Sequence, residues 1–162
     1  MVTEGIIERS AILRILETVT DPEIPVLTIA DLGILRNVEI NDDEIHVIIT
    51  PTYNGCPAMD MIAMNIRLAL LENGYRKIKI SAVLSPAWTT DWMSEEGKRK
   101  LKEYGIAPPG KRSDETPGRV LVECPQCHSS NTRLISEFGS TACKALYQCN
   151  DCKEPFDYFK CH

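Results

Sequence analysis

Ile7, Ala11, Ile12, Ile15, Leu16 and Val19 recur at intervals of three and four, which predicts an amphipathic helix over roughly 5–19. Asp21-Pro22 is expected to stop it. The period then changes to two. Residues 34–40 and 44–50 predict two antiparallel strands joined by a turn at Asn41-Asp42-Asp43. Residues 57–72 return to helical spacing, with Pro57 suited to the first turn and Gly74 to the left-handed C′ position. Residues 77–84 predict a third strand with Ile78, Ile80, Ala82 and Leu84 on one face. Residues 94–104 predict a polar helix closed by Gly105, with Leu101 placed to meet Ile106. The order α-β-β-α-β-α predicts an α+β fold, a small mixed sheet with helices packed mainly on one face.

The pattern breaks at residues 107–118, rich in proline, glycine and charge, which read as a linker. The expected division is therefore an α+β domain over 1–106, the linker, and a second domain over 119–162. In the latter, residues 119–123, 132–138, 144–148 and 156–160 predict short strands.

Composition narrows the possibilities. The chain has 162 residues, is 43% hydrophobic and contains no run as long as a membrane span, so a soluble, unsecreted cytoplasmic protein is expected. The net charge is −5. Residues 109–162 balance their acidic and basic side chains, so the deficit belongs to the first part. Neither part offers the basic surface that nucleic acid requires, which argues against a nucleic-acid-binding ribbon. An odd count of seven cysteines favours reduced thiols and metal binding over a disulfide framework.

Four of those cysteines form two Cys-x-x-Cys knuckles, Cys124–Cys127 and Cys149–Cys152. Two knuckles joined by a hairpin turn four thiolates toward one point, the shell of structural zinc in a rubredoxin-like or zinc-ribbon β domain. Such cages also accept iron, so the ligand set alone leaves the metal open. A closed cage has no open position for chemistry, and the site reads as structural. Cys143, Cys161 and His162, with His128, are spare soft ligands for a second site. Against this, Cys143 is suited to packing in the ribbon and the chain end to fraying.

Cys56 stands apart, where a Pro- and Gly-rich loop meets a helix start. The first-turn N–H groups and the helix dipole favour a thiolate there, able to bind a soft metal or act as a nucleophile. A free cysteine at an element boundary is equally read as a small buried hydrophobe. Catalysis by Cys56 would need a base, and His46 is the only histidine of the first domain. Its place on a strand suggests a hydrogen-bonded structural role. Asp21 and Glu23 flank Pro22 in a stiff loop and either orient a metal or thiol or simply end the helix. Trp88, Asp91 and Trp92 lie in a Pro- and Thr-rich loop; the tryptophans are candidates for anchoring a partner or covering the sheet. Met59, Met61 and Met64 follow Cys56, and packing explains them better than ligation.

Asp21-Pro22-Glu23, Asp31-Leu32-Gly33 and Thr52 with Cys56-Pro57 together resemble the small α+β domain of the SufT-like iron–sulfur assembly factors. The stretches Thr50–Asp60, Ser85–Ser94 and Tyr104–Pro109, and the ribbon ending from Cys149 to His162, resemble the PaaD family of phenylacetate catabolism over nearly the whole chain. The resemblance implies a non-catalytic accessory subunit of the multicomponent phenylacetyl-CoA epoxidase system, acting in maturation of an iron or iron–sulfur centre. It implies Cys56 as the functional thiol, supported by Asp21, Glu23 and Thr52. It also implies transient iron or a cluster at Cys56, structural zinc in the four-cysteine cage, epoxidase subunits or their iron–sulfur reductase as partners, and a homodimer.

Overall fold

The computed structural model describes residues 7–53, 55–109 and 121–159. The chain divides into two compact units, residues 1–88 and 89–162.

The first unit is built on a three-stranded sheet. Helix α1 spans Arg9–Leu16 and α2 spans Ile29–Leu32. Strand β1 (Leu35–Asn41) pairs antiparallel with β2 (Glu44–Ile49), and β3 (Lys77–Ala82) joins β2 in parallel through helix α3 (Ala58–Glu72). The order is β1-β2-β3. The two-residue hairpin loop places Asp42 at φ 55°, a left-handed conformation that aspartate tolerates. Ile45, Val47 and Ile49 alternate on the buried face of β2, opposite Val38 on β1 and beside Ile78 and Ile80 on β3. Ile12 and Leu16 of α1, with Ile62, Ile66 and Leu70 of α3, close this core from one side. The α+β class expected from the periodicity is the one observed.

Differences in the first unit have local causes. α1 ends at Leu16 rather than near Val19. Val19 stays buried, but its carbonyl accepts the N–H of Ile29 (2.9 Å), and Thr20 bridges to Thr28. The chain has left the helix before Asp21, so the Asp-Pro pair does not terminate it. β3 stops at Ala82, which leaves Leu84 exposed rather than on the buried face.

The second unit holds a short 3₁₀ turn (Thr90–Trp92), helix α4 (Glu95–Tyr104) and a four-stranded sheet. The Ser94 hydroxyl caps α4 by accepting the Gly97 N–H (2.9 Å), and Gly105, at φ 91°, closes it. Strands β4 (Ile106–Ala107), β7 (Pro155–Phe159), β6 (Lys144–Cys149) and β5 (Thr132–Ser136) follow one another across the sheet. β4 pairs in parallel with β7, so α4 and β4 group with the ribbon's strands in this unit. Most of the expected linker, residues 110–118, lies outside the described residues, as do Arg119 and Val120. Ala107, Val122, Ala145, Phe156 and Tyr158 form a small core around the buried cysteines.

Candidate functional sites

Each Cys-x-x-Cys knuckle of the ribbon repeats the same backbone geometry. The N–H of Cys124 donates to the carbonyl of Ser129 (2.9 Å), and that of Cys149 donates to Glu154 (3.0 Å). Directly after each second cysteine the chain turns left-handed, at His128 (φ 63°) and Lys153 (φ 67°). Polar ties lock the knuckles together. Ser129 donates to Asp151, which also accepts from Asn131 (3.1 Å), and Asn150 donates to Asn131 (3.0 Å).

The four Sγ atoms lie within 4.8 Å of one another, with Cys124–Cys152 at 3.7 Å and Cys127–Cys149 at 3.5 Å. A zinc tetrahedron with Zn–S bonds of about 2.3 Å has edges of about 3.8 Å, so the donor set fits the ion. Cys124 and Cys149 are buried; Cys127 and Cys152 face solvent. Backbone N–H groups of Cys152 and Asp151 pull the Cys149 thiol down to about 7. The N–H of Glu154 acts in the same sense on Cys152, yet burial and the three neighbouring thiols push it up to about 12. Four thiolates this close call for a cation at their centre, which is the charge zinc supplies.

The second candidate site lies where β2 ends. The Thr50 N–H donates to the Ile34 carbonyl (2.9 Å), and the chain then loops through Gly55, at φ 79°, to Cys56. Cys56 is half-exposed and precedes the first residue of α3 by two positions, with Pro57 as N-cap. Its carbonyl accepts from Met59 (3.2 Å), which folds the approach into the helix. Thr52 is half-buried on the same loop. Thr50, which sequence reasoning did not single out, is 1% exposed, and its hydroxyl has no hydrogen-bond partner among the described residues.

Asp21 is buried and organises its own loop. Its Oδ1 accepts the N–H groups of Glu23 (2.7 Å) and Ile24 (2.9 Å). A series of backbone bonds, Ile29 to Val19, Ile34 to Ile29 and Thr50 to Ile34, ties this loop to the strand end that leads to Cys56. Asp31 serves α2 instead: it and Thr28 form a reciprocal capping box, and Gly33 closes the helix.

The remaining candidates fall as follows. Trp88 is 4% exposed, and its indole N–H donates to the Leu32 carbonyl at 2.7 Å, so it belongs to the first unit's core and not to a partner-facing surface. Trp92 is half-buried. His46 sits between Glu39 (3.3 Å) and Ser81 (2.8 Å), a satisfied strand histidine. Cys143 is buried with the Thr141 hydroxyl 3.0 Å from its sulfur, and His128 is engaged by Glu123 (3.1 Å). Cys161 and His162 lie outside the described residues. Met61 and Met64 are largely exposed, so internal packing does not account for them.

A small α+β domain followed by a four-cysteine β-ribbon is the class of protein that this arrangement defines. Residues 9–80 match the iron–sulfur cluster assembly protein family, and residues 108–160 match the PaaD zinc beta ribbon domain. The chain is 51% identical, over 93% of its length and 91% of the relative's, to an Escherichia coli K12 protein provisionally named as a component of 1,2-phenylacetyl-CoA epoxidase. The chain belongs to the PaaD family. It is also 40% identical, over 56% of its length and 87% of the relative's, to an Fe-S protein maturation auxiliary factor of Porphyromonas gingivalis. A solved domain of unknown function from Bacillus anthracis superimposes with a TM-score of 0.53 at 27% identity, covering 57% of this chain and 89% of that one. No helix among the described residues is long and apolar enough to cross a membrane.

Proposed function

We propose that this protein is a non-catalytic accessory subunit of a phenylacetyl-CoA epoxidase system and serves the maturation of its iron or iron–sulfur centres. The E. coli relative carries the epoxidase name, and the shorter relatives are named maturation factors. The observation that carries the reading is the separation of two sulfur sites within one chain. The ribbon cage uses all four knuckle cysteines and is closed. Cys56 is a half-exposed thiol on a loop outside that cage, and among the described residues it belongs to no group of three metal-ligating side chains. A sparse, accessible thiol suits a soft ion that must be passed on, whereas a complete cage suits one that stays.

In this reading Cys56 holds iron or a cluster transiently, across a homodimer, in the cytoplasm. Asp21 shapes its own loop, and Glu23 and Thr52 are assigned supporting roles at the thiol. Trp92 contributes to docking an epoxidase component or its iron–sulfur reductase. A thiol-dependent enzyme is disfavoured, because the ring nitrogens of His46, the histidine of the first unit, are engaged by Glu39 and Ser81.

The test is anaerobic purification with elemental analysis of the native chain and of Cys56→Ser. The expected result is about one zinc per chain in both, from the four-cysteine set, with additional iron only in the native protein. Equal iron in the two would remove Cys56 from the mechanism.

A further inference from the structure

Helix α3 is apolar on two opposite faces. Ile62, Ile66 and Leu70 are buried against the first unit's sheet. Met61, Met64, Leu68 and Leu71 are 49%, 58%, 50% and 41% exposed. At about 100° per residue, these four fall in one stripe centred opposite the buried face. Their spacing, three, four and three, is that of alternating a and d positions in a two-helix seam. A helix needs one apolar face to bury itself, and the second face is left exposed among the described residues.

We infer that this stripe is the surface on which a second copy of the chain docks, its α3 running parallel to the first. The flanking charges select the occupant and its direction. Arg67 borders the stripe on one side and Glu72 on the other, five residues further along. In a parallel pair those are the positions that face each other across the seam, so each Arg67 meets the partner copy's Glu72, twice over. An antiparallel pair would instead set the two Arg67 side chains beside each other. Arg67 Nη1 also donates to the Ile78 carbonyl (3.1 Å), which holds the guanidinium at that margin.

Four half-exposed side chains offer less than the ~800 Å² per partner of a standard stable interface. The seam is therefore a concentration-dependent association. Its consequence rests on the reading of Cys56 given above. Cys56 lies five residues before Met61, so a parallel seam puts both copies' thiols at the same end and supplies two sulfur ligands where one chain supplies one.

Sedimentation equilibrium on the full chain, from micromolar to several hundred micromolar, tests this. The native protein is expected to associate to a dimer. Leu68→Glu should weaken the dimer on the order of a hundredfold, since like charges then meet across the seam, with an unchanged circular dichroism spectrum. Arg67→Glu and Glu72→Arg should each weaken it, and the double variant should restore it. A native protein that stays monomeric, a Leu68→Glu protein that dimerises like the native one, or a double variant without rescue would each overturn the proposal. The mass of Cys56→Ser is read alongside. It should dimerise normally, so equal iron in that variant sinks the thiol reading alone, whereas an undiminished Leu68→Glu dimer sinks the seam alone.

Discussion

The indole N–H of Trp88 donates to the carbonyl oxygen of Leu32 at 2.7 Å, across 56 residues of sequence. Leu32 ends the short helix α2 and Trp88 ends the first unit, so this bond pins the unit's last residue to the elements behind β1. Both partners are buried.

Trp88→Phe keeps an aromatic ring but deletes the donor and leaves the Leu32 carbonyl without it in a dry site. The expected loss is about 1–3 kcal/mol, the cost of a buried polar group deprived of its partner. Denaturant unfolding followed by far-ultraviolet circular dichroism measures it. A change within about 0.5 kcal/mol, the range of ordinary surface substitutions, would mean the bond contributes nothing.

Thr50 carries the opposite imbalance. Its hydroxyl is buried with no partner among the described residues, at the head of the loop to Cys56. A cost of this kind is retained at functional sites more often than elsewhere. Thr50→Val preserves the shape and removes the orphan, so stability should rise by about 1–3 kcal/mol. Iron retained after anaerobic purification should fall if the hydroxyl serves the thiol site. A lower melting temperature would show that the hydroxyl is satisfied in solution.

The long elements were legible because their chemistry is local. Pro57 and Gly74 bracket α3, alternating Ile and Val mark β2, and the two knuckles announce the cage before any fold is known. What escaped was short or non-local. α2 has four residues, too few for a period, although the Thr28-x-x-Asp31 capping box was readable. β4 has two residues and exists only because β7 lies beside it. Trp88 sits among prolines and threonines, a context that suggests a surface loop, and only the tertiary fold brings the Leu32 carbonyl within reach. The exposed stripe on α3 was visible as methionines and leucines, but sequence alone cannot say which apolar face is left uncovered.

Asp43 and Lys77 form an ion pair at the end of the sheet (2.5 Å), where the β1–β2 turn meets the start of β3. The hydrogen bond from Lys77 holds the Asp43 carboxyl below its ordinary value. A depressed carboxylate stabilises the fold above its unfolded pKa, and that contribution disappears as the pH falls through the folded value. Both side chains are well exposed, so the effect is small and screened by salt. Asp43→Asn should therefore lower the melting temperature slightly at pH 7. The difference should vanish below the ordinary aspartate range and shrink in 1 M salt. A difference that persisted in acid would assign the effect to the turn conformation at Asp42-Asp43 and not to charge.

Removing the metal should act on the second unit far more than on the first. The ribbon's core is small, and two of its members, Cys124 and Cys149, are themselves ligands. Structural zinc in comparable small sites contributes an apparent ~10–16 kcal/mol at neutral pH, more than such a core supplies unaided. Without the ion, thiols held within 4.8 Å of one another have nothing to balance them. Tyr147 packs on Phe156 at 6.0 Å and on Tyr158 at 5.4 Å, so its ring environment reports whether β6 and β7 remain paired. A strong chelator, or Cys149→Ser, should collapse the near-ultraviolet tyrosine signal. The first unit contributes none of the four ligands, so its helical signal and cooperative unfolding should persist. Retention of the tyrosine signal in protein shown by elemental analysis to be free of zinc and iron would mean that the ribbon holds its fold without a metal.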